Sequence, residues 1–387
     1  MSVRNPFLRR AMKALRRGRP RLADTVPSFN RVEFVPSGTY AEVWFSTDGC
    51  TWDREGGCTM CNYGRGLALT PDETVRVVCA ALARLPAQIS ELLISPSGAF
   101  FDEREVPLAA RRGILAAVAA VACERFLIET RVETVTEENV AELYRSVPGR
   151  RLGIEVGLES SDDWIQRFCV NKGTDDGCFR RASLATKSYG VALYANVCLG
   201  TAFLSEGEAI EDAARSVIWS LENGADIAVL FPLHVKPFTL LATLHSEGRY
   251  QPVSLWSLAA VLERLARHDA TFPARTEIAW YKSYYADPSK ILASPRTCDR
   301  CQEAVVALFD AYRARLDHPS IEALAFFECS CKDAWRDRLV VPRTPLAVRV
   351  LEQYEWIAGV TGLDDWWVLN RAAIESSMRL PSRREAP

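Results

Sequence analysis

The stretch Thr47-Asp-Gly-Cys50-Thr-Trp-Asp-Arg-Glu-Gly-Gly-Cys58-Thr-Met-Cys61-Asn-Tyr-Gly64 follows an apolar strand pattern and places three cysteines within twelve residues. Four thiolates close the coordination of a [4Fe-4S] cube, whereas three leave one iron free to bind and activate a second ligand. The glycines at 49, 56, 57 and 64 let the backbone fold around a cluster without Cβ clashes. A structural zinc site lacking a local fourth ligand, or unrelated buried cysteines, are the alternatives. We favour the open cluster because structural zinc sites use four protein ligands.

Short β-type runs alternate with longer amphipathic stretches between about residues 40 and 270. The predicted strands are 41–46, 90–95, 125–130, 151–157, 191–199 and 226–232. The predicted helices lie near 72–84, 107–121, 137–146, 176–189, 206–222 and 255–268, where apolar residues recur at i, i+3 and i+4. This alternation implies parallel strands joined by right-handed crossovers. The predicted fold is therefore α/β, a partial (β/α)6 TIM-like barrel, because eight units would be needed to close it.

Polar residues follow the predicted strands at the positions where such barrels collect reactive groups. The cysteine loop follows the first strand, and Ser95 to Asp102 follows the second. Glu129 and Arg131 close the third strand, and Glu155 and Glu159 flank the end of the fourth. We expect these groups to face one cavity.

A second group of cysteines lies past residue 270, where the alternation is lost. Cys298-Asp-Arg-Cys301 and Cys329-Ser-Cys331 supply four ligands in two close pairs, enough for tetrahedral zinc or a second iron–sulfur cluster. Four free packing cysteines are the remaining alternative. We favour a zinc clip because this region shows little helical or strand regularity that would otherwise stabilise it. The other cysteines are interpreted as small buried hydrophobes: Cys79, Cys123, Cys169, Cys178 and Cys198.

Three units follow from these patterns. Residues 1–39 form a basic N-terminal extension, 40–270 the barrel, and 271–387 a C-terminal extension that carries the four-cysteine site. Eight Arg or Lys residues lie between Arg4 and Arg21, and we interpret them as a solvated tail or short helix, with phosphate contact as the alternative.

Composition narrows the functional classes. A net charge of -2 gives no global field for polyanions. Twelve cysteines in a chain of 387 residues, without a signal-type segment, favour a reducing cytoplasm over a disulfide framework. No apolar run approaches the roughly 20 residues that span a bilayer, so no membrane association is expected.

Taken together, these motifs resemble the radical S-adenosylmethionine enzymes, and within them the branch of the archaeosine-forming enzyme RaSEA and the elongator catalytic subunit. The segments that carry the resemblance are the Cys-x7-Cys-x2-Cys loop with Asn62-Tyr-Gly64, Ser97-Gly98-Ala-Phe-Phe-Asp102-x-x-Glu105-Val-Pro107, Glu129-Thr-Arg131, Glu155-Val-Gly-Leu-Glu159-Ser, Asn171-Lys-Gly173, Phe203-Leu-Ser-Glu, Tyr250-Gln-Pro and Cys329-x-Cys-Lys-x-x-Trp335.

The resemblance implies a partial barrel and a set of cofactor roles. Cys50, Cys58 and Cys61 would ligate a [4Fe-4S] cluster whose open iron chelates S-adenosylmethionine. Ser97 and Gly98 would meet the cofactor's amino group, and Glu129 and Arg131 its ribose or carboxylate. Glu155 would contact ribose hydroxyls or substrate. Lys172, in Asn171-Lys-Gly173, would contact substrate or the cluster surroundings, with a left-handed turn that carries a solvated lysine as the alternative. Independently of the resemblance, the place of His234 just beyond the sixth strand makes it a candidate for a substrate contact, with a loop or core histidine as the alternative. An electron donor of the flavodoxin or ferredoxin type is implied as the partner.

The implied reaction is reductive cleavage of S-adenosylmethionine to a 5′-deoxyadenosyl radical, which abstracts hydrogen from a nucleoside-type or tRNA-borne substrate. Bond cleavage, rearrangement or C–C bond formation would follow. Two departures stand out. Met60 replaces an aromatic residue common before the last cluster cysteine, which bears on the packing over the cofactor adenine. Cys198-Leu-Gly-Thr-Ala202 replaces a lysine- and proline-rich segment, which bears on the substrate pocket. A RaSEA-like tRNA-modifying C–N lyase is one alternative. A non-catalytic iron–sulfur or zinc protein that binds RNA or another protein is the other.

Overall fold

One eight-stranded sheet organises the chain. The computed structural model describes residues 5–17, 27–35, 38–282, 290–340 and 342–379. The strands are β1 Ser28–Val35, β2 Gly38–Phe45, β3 Ile89–Pro96, β4 Cys123–Thr130, β5 Arg151–Glu159, β6 Ala192–Leu199, β7 Ile227–Pro232 and β8 Thr276–Ile278. They pair in sequence order, antiparallel between β1 and β2 and parallel from β2 to β8. The predicted partial barrel is confirmed.

In the described part of the chain, α-helices precede, connect and follow the strands. They are α1 Pro6–Leu15, α2 Thr51–Arg54, α3 Pro71–Leu82, α4 Leu108–Ala119, α5 Glu137–Ser146, α6 Asp163–Ile165, α7 Asp176–Ser188, α8 Glu206–Glu222, α9 Leu240–Ser246, α10 Leu255–His268, α11 Gln302–Arg315, α12 His318–Phe326, α13 Ser330–Arg338, α14 Leu346–Thr361 and α15 Asp364–Met378. The six predicted strands correspond to β2–β7, and the six predicted helices to α3, α4, α5, α7, α8 and α10. Capping boxes at Thr70 and Ser205 start α3 and α8, because each side chain satisfies an orphan backbone N–H.

The region past residue 300 is helical, contrary to the expectation of little regular structure. Helices α11 to α15 cover most of it. Val305 and Phe309 of α11 and Trp335 of α13 are buried in the same hydrophobic core as the barrel strands. Burial on a shared core, rather than a metal clip alone, therefore stabilises this segment.

A second apolar cluster lies beside the cysteine loop. It joins Phe7 and Met12 of α1 to Tyr354 of α14 and Trp367 of α15. The basic N-terminus is thus, over residues 6–15, a packed helix rather than a solvated tail. Within the described ranges, no helix combines the length and apolarity needed to cross a membrane.

Candidate functional site

A cavity of about 760 Å³ fills the barrel lumen and opens beside the cysteine loop. Its lining includes Cys50, Cys58 and Cys61, and no other cysteine of the described residues. All three are free thiols. The loop that begins at the end of β2 therefore places three soft sulfur donors in the wall of this cavity.

The cysteine loop is fixed by hydrogen bonds to a distant segment after β5. The Thr59 amide donates to the Val170 carbonyl at 2.9 Å. The Asn171 side-chain amide donates to the Gly57 carbonyl at 2.6 Å, and Asn171 has a φ of 60°, in the left-handed region. The left-handed turn expected at Asn171-Lys-Gly173 is present, and its role is to hold the loop.

Burial governs the protonation of the three thiols. It raises the pKa of Cys50 and Cys58, and it raises the pKa of Cys61 to about 12. A bound metal would reverse this, because coordination deprotonates a thiol. Thiolates are soft ligands, and iron–sulfur clusters are held by such ligands.

Glu105 is buried close to Cys50 and bonds to several neighbouring residues. Its carboxylate accepts hydrogen bonds from the Thr51 amide at 2.7 Å and the Ala99 amide at 2.6 Å, and it forms an ion pair with Arg131. A Cβ at Gly98 would lie 2.0 Å from the Glu105 carboxylate oxygen. Glycine is required at 98 because only its bare backbone leaves room for this carboxylate.

Not all of the predicted cofactor-binding residues face the cavity. Gly98 and Arg131 line the cavity, whereas Ser97 is buried and its hydroxyl oxygen accepts a hydrogen bond from the Thr47 amide at 2.8 Å. Arg131 also forms an ion pair with Asp102, and its guanidinium lies 3.5 Å from the Cys50 sulfur. Ser97 therefore shapes the loop, and Arg131 is committed to acidic partners beside the cluster loop.

Glu129 and Glu155 face the lumen from neighbouring positions of β4 and β5. The Ser95 hydroxyl donates to Glu129 at 2.5 Å. Burial raises the pKa of Glu129 to about 7, and burial together with the Glu129 charge raises the pKa of Glu155 to about 8. Two carboxyls this close in a low dielectric resist ionising together, so the pair holds a proton near neutral pH.

This pair predicts a pH-dependent stability. Both folded pKa values exceed the unfolded value of about 4.5, so folding retains protons that the unfolded chain has lost. The free energy of unfolding should fall as pH rises from about 4.5 to about 8. We expect Glu155→Gln to remove about 1–2 kcal/mol of that fall, because each pKa unit is worth about 1.4 kcal/mol. Urea unfolding at pH 5.5 and 8.5 measures it.

Glu322→Gln on the exposed face of α12 is the matched control, since it removes one exposed carboxylate and should leave the pH slope unchanged. An unchanged slope for Glu155→Gln would show that the two carboxyls titrate normally.

Glu159 and Lys172 form a second buried pair on the cavity wall. Lys172 Nζ donates to Glu159 at 2.8 Å, and the two side chains are 8% and 11% exposed. The Cys198 thiol donates to the other Glu159 oxygen at 2.8 Å. A Cβ at Gly157 would lie 2.4 Å from Glu159 Oε1, so the glycine admits the pair. Lys172 is therefore an ion-pair partner rather than a solvated lysine.

The opposite wall carries a cation between aromatic rings. Lys236 Nζ lies 4.7 Å from the centre of the Tyr63 ring and 4.3 Å from that of Trp280. Among the described residues no carboxylate lies within ion-pair distance of Lys236. His234 also lines the cavity, and its ring nitrogens contact Ser294 Oγ and the Trp280 carbonyl. Burial lowers the pKa of His234 to about 4, so this ring is neutral at pH 7.

Several of these residues escaped the sequence-based predictions. Glu42 of β2 and Glu277 of β8 line the lumen, as do Lys236 and Trp280. The signal at Glu42 was its position between the buried residues Ala41 and Val43, because alternate residues of a strand face opposite sides of a sheet. The isolated lysine and tryptophan carry no such pattern.

The four C-terminal cysteines come together outside the cavity. Their four sulfur atoms all lie within 4.8 Å of one another. Among the described residues, no other group of three or more His, Cys, Asp or Glu side chains is arranged to hold a metal ion. The sulfur–sulfur distances are 3.6 Å for Cys298–Cys301, 3.7 Å for Cys298–Cys329 and 3.5 Å for Cys301–Cys331. The Trp256 indole N–H donates to the Cys331 sulfur at 3.3 Å.

The scattered cysteines divide into two kinds. Cys169 and Cys198 are buried, as expected for small hydrophobes, and Cys123 and Cys178 are half-buried. Cys79 is exposed, so that part of the expectation was wrong; it lies on the outer face of α3.

No protein-family model matches the chain. The chain is 30% identical over 304 residues to archaeosine synthase subunit beta of Methanosarcina acetivorans, which covers 77% of this chain and 84% of that protein. It is 30% identical over 232 residues to the protein of the same name from Thermococcus kodakarensis, covering 58% of this chain and 71% of that protein. The solved structure of Methanocaldococcus infernus Elp3 has a TM-score of 0.46 and 15% identity, covering 62% of this chain and 59% of that one.

Proposed function

The chain belongs to the family of archaeosine synthase subunit beta, whose members are radical S-adenosylmethionine enzymes with a [4Fe-4S] cluster, and on that premise we propose how its own residues perform the reaction. The enzyme reductively cleaves S-adenosylmethionine to a 5′-deoxyadenosyl radical, which abstracts hydrogen from a nucleoside-type or tRNA-borne substrate. The single observation that carries this proposal is that three free thiols, and no fourth cysteine among the described residues, line the cavity in the barrel.

The donor set fits the cluster. Cys50, Cys58 and Cys61 supply three sulfur donors on one loop beside the cavity, one fewer than structural zinc sites use. A four-iron cube held by three thiolates keeps one iron without a protein ligand. The open iron would face the cavity, where a second ligand can reach it.

The cofactor is assigned to the wall formed by Gly98, Glu129 and Arg131. The backbone of Gly98 lies beside Cys50, and the Glu129 carboxylate faces the lumen from β4, where it accepts a hydrogen bond from the Ser95 hydroxyl. Arg131 can pair with a carboxylate of the cofactor only by exchanging one of its three acidic partners, Asp102, Glu105 or Glu133. We propose that Arg131 mainly orients the cluster loop, while Glu129 and Glu155 accept from the hydroxyls of the cofactor or substrate.

The substrate is assigned to the remaining lumen between Glu155 and Lys236. Tyr63 and Trp280 offer aromatic faces on which a base can stack, and Lys236 supplies a cation that no described carboxylate neutralises. A nucleoside-type molecule matches this combination, because it offers a ring, hydroxyls and N–H donors. A cavity inside the barrel can shield a radical intermediate from side reactions once cofactor and substrate fill it. A reduced flavodoxin- or ferredoxin-type protein is proposed as the electron donor.

A tRNA-borne substrate with C–N bond cleavage is the second candidate, favoured by the similarity to archaeosine synthase subunit beta. The N-terminal basic residues give it less support than their charge suggests. Arg9 pairs with Glu55, Arg10 lies 4.9 Å from the Trp366 ring, and Arg16 is buried. Turnover of a free nucleoside without tRNA would separate the two candidates.

The decisive experiment is anaerobic. Protein reconstituted with iron and sulfide, then mixed with S-adenosylmethionine and dithionite, should release 5′-deoxyadenosine, and deuterium should pass from substrate into that product. Full iron content without 5′-deoxyadenosine would contradict the enzyme proposal and favour a non-catalytic iron–sulfur partner of RNA or protein.

We propose zinc for the four C-terminal cysteines. With Zn–S bonds of about 2.3 Å, the edge of a tetrahedron is about 3.8 Å. Three of the sulfur separations, at 3.5 to 3.7 Å, approach this edge, and all four sulfurs lie within 4.8 Å of one another, which suits ligands around one ion. A single tetrahedral ion therefore fits better than a second cluster.

This assignment makes a measurable prediction. Metal analysis of the purified enzyme should find one zinc per chain in addition to the cluster iron. Cys331→Ser should weaken zinc by more than the roughly 10- to 100-fold that loss of an outer hydrogen-bond partner costs, because it removes a ligand directly. Competition with a chromogenic chelator measures the change. Cys178→Ser, a half-buried cysteine outside both groups, is the control, and equal zinc retention in both variants would contradict the assignment.

A further inference from the structure

Helix α1 is anchored at its start to the C-terminal helices. Asn5 caps it, accepting hydrogen bonds from the Phe7 and Leu8 amides at 3.0 Å. The Asn5 side-chain amide donates to the Tyr354 hydroxyl at 2.8 Å, and the Phe7 and Tyr354 ring centres are 4.6 Å apart. The position of α1 relative to α14 is therefore fixed by both a polar and an aromatic contact.

At the C-terminal end of α1, Arg16 lies against the cysteine loop. Arg16 follows the last residue of the helix, and its side chain is 10% exposed. Its Nη1 donates to the Asp53 carbonyl at 2.7 Å and forms an ion pair with the Asp53 carboxylate at 2.5 Å. Its Nη2 donates to the Cys61 carbonyl at 2.6 Å and to the Cys58 carbonyl at 3.3 Å. One guanidinium thus contacts both cysteines of the Cys-x-x-Cys pair.

The loop is shaped to receive this helix. A Cβ at Gly56, where φ is +117°, would lie 2.6 Å from the Arg9 carbonyl oxygen. A Cβ at Gly57 would lie 2.9 Å from Arg16 Nη1 and 2.5 Å from Asp53 Oδ1. These two glycines serve the approach of α1 and not only the path of the chain around a cluster.

We propose that Arg16 is a positioning residue that holds the Cys58–Cys61 turn in its cluster-binding conformation and stabilises the reduced cluster electrostatically. The inference rests on the proposed cluster site. The planar guanidinium satisfies carbonyls on both sides of the turn at once, which a lysine cannot reproduce. It also neutralises the buried Asp53 carboxylate, whose unpaired negative charge beside the two ligands would oppose the added electron of the reduced state.

The test compares Arg16→Gln with Arg17→Gln. Arg17 is the next residue and is exposed, so its replacement removes the same charge without these contacts. After anaerobic reconstitution, loss of the cluster to a chelator should be about 10-fold or more faster in Arg16→Gln than in the wild-type enzyme, as expected for an outer-shell contact. The reduction midpoint followed by electron paramagnetic resonance should move to a more negative potential. Arg17→Gln should match the wild type in both.

A second variant protects the test against simple misfolding. Arg16→Lys keeps the charge but loses the planar fork, so it should recover the midpoint while still losing the cluster faster. Zinc retention at the C-terminal cysteines reports whether each variant is folded. Equal cluster lifetimes and midpoints in Arg16→Gln and Arg17→Gln would overturn the inference. A wild-type enzyme that takes up no cluster would instead overturn the proposed function, so the two failures are distinguishable.

Discussion

Cys58→Ala should bring the release of 5′-deoxyadenosine down to the rate seen without enzyme. The side chain of Cys58 faces the cavity and is 8% exposed, and the Thr59 amide beside it is fixed to Val170. Among the described residues, Cys50 and Cys61 are the other cysteines that line the cavity, and they supply the other two ligands of the proposed cluster. The cofactor carries the difficult chemistry, so its loss removes the reaction rather than slowing it. Chromatography of 5′-deoxyadenosine and iron analysis measure both effects.

Cys79→Ala is the matched control for this experiment. Its thiol is exposed on α3, away from the cavity, and its loss should change neither iron content nor product release. If Cys58→Ala kept its iron and its 5′-deoxyadenosine, the cluster would have to reside elsewhere. The four C-terminal cysteines are the alternative location, and Cys301→Ser would then abolish the reaction instead.

Local sequence patterns were sufficient for the middle of the fold. Helices α8 and α10 follow the predicted ranges residue by residue, because their apolar period and their serine caps agree. Strand β1 was missed because its residues Asn30, Arg31 and Glu33 break the expected apolar alternation. Asn30 and Arg31 line the cavity, and Glu33 forms an ion pair with Arg313, so these polar side chains have partners that no local apolar pattern reveals. Strand β8 has three residues, too few to form a pattern.

The parts of the site that depend on distant pairing could not be predicted. Arg16 lies 37 residues before Asp53 in sequence, and no local spacing connects them. Arg131 illustrates the same limit: its position after β4 indicated a site residue, but its commitment to Asp102 and Glu105 emerges only when three loops meet. Sequence patterns predicted which residue types lie at the strand ends. Which of them pair with each other depends on how distant segments pack.

The second large effect concerns the buried pair Glu159–Lys172. Lys172→Met should lower the free energy of unfolding by about 3–5 kcal/mol, because it leaves an unpaired carboxylate in the interior. Glu159 cannot easily turn to water, since it is held in a left-handed conformation with φ of 65° and its other oxygen accepts from Cys198. Urea unfolding of the metal-loaded enzyme measures the loss.

The double variant Glu159→Gln with Lys172→Met separates the pair from its surroundings. Because it removes both charges, most of the lost stability should return, as it does when buried ion pairs are replaced together. Arg336→Met, which breaks an exposed pair with Asp333, should cost less than about 1 kcal/mol. A double variant as unstable as the sum of its single variants would show that the two charges do not stabilise each other. A stable double variant that still fails to release 5′-deoxyadenosine would instead place the pair in cofactor or substrate binding, because its residues line the same cavity as Cys58.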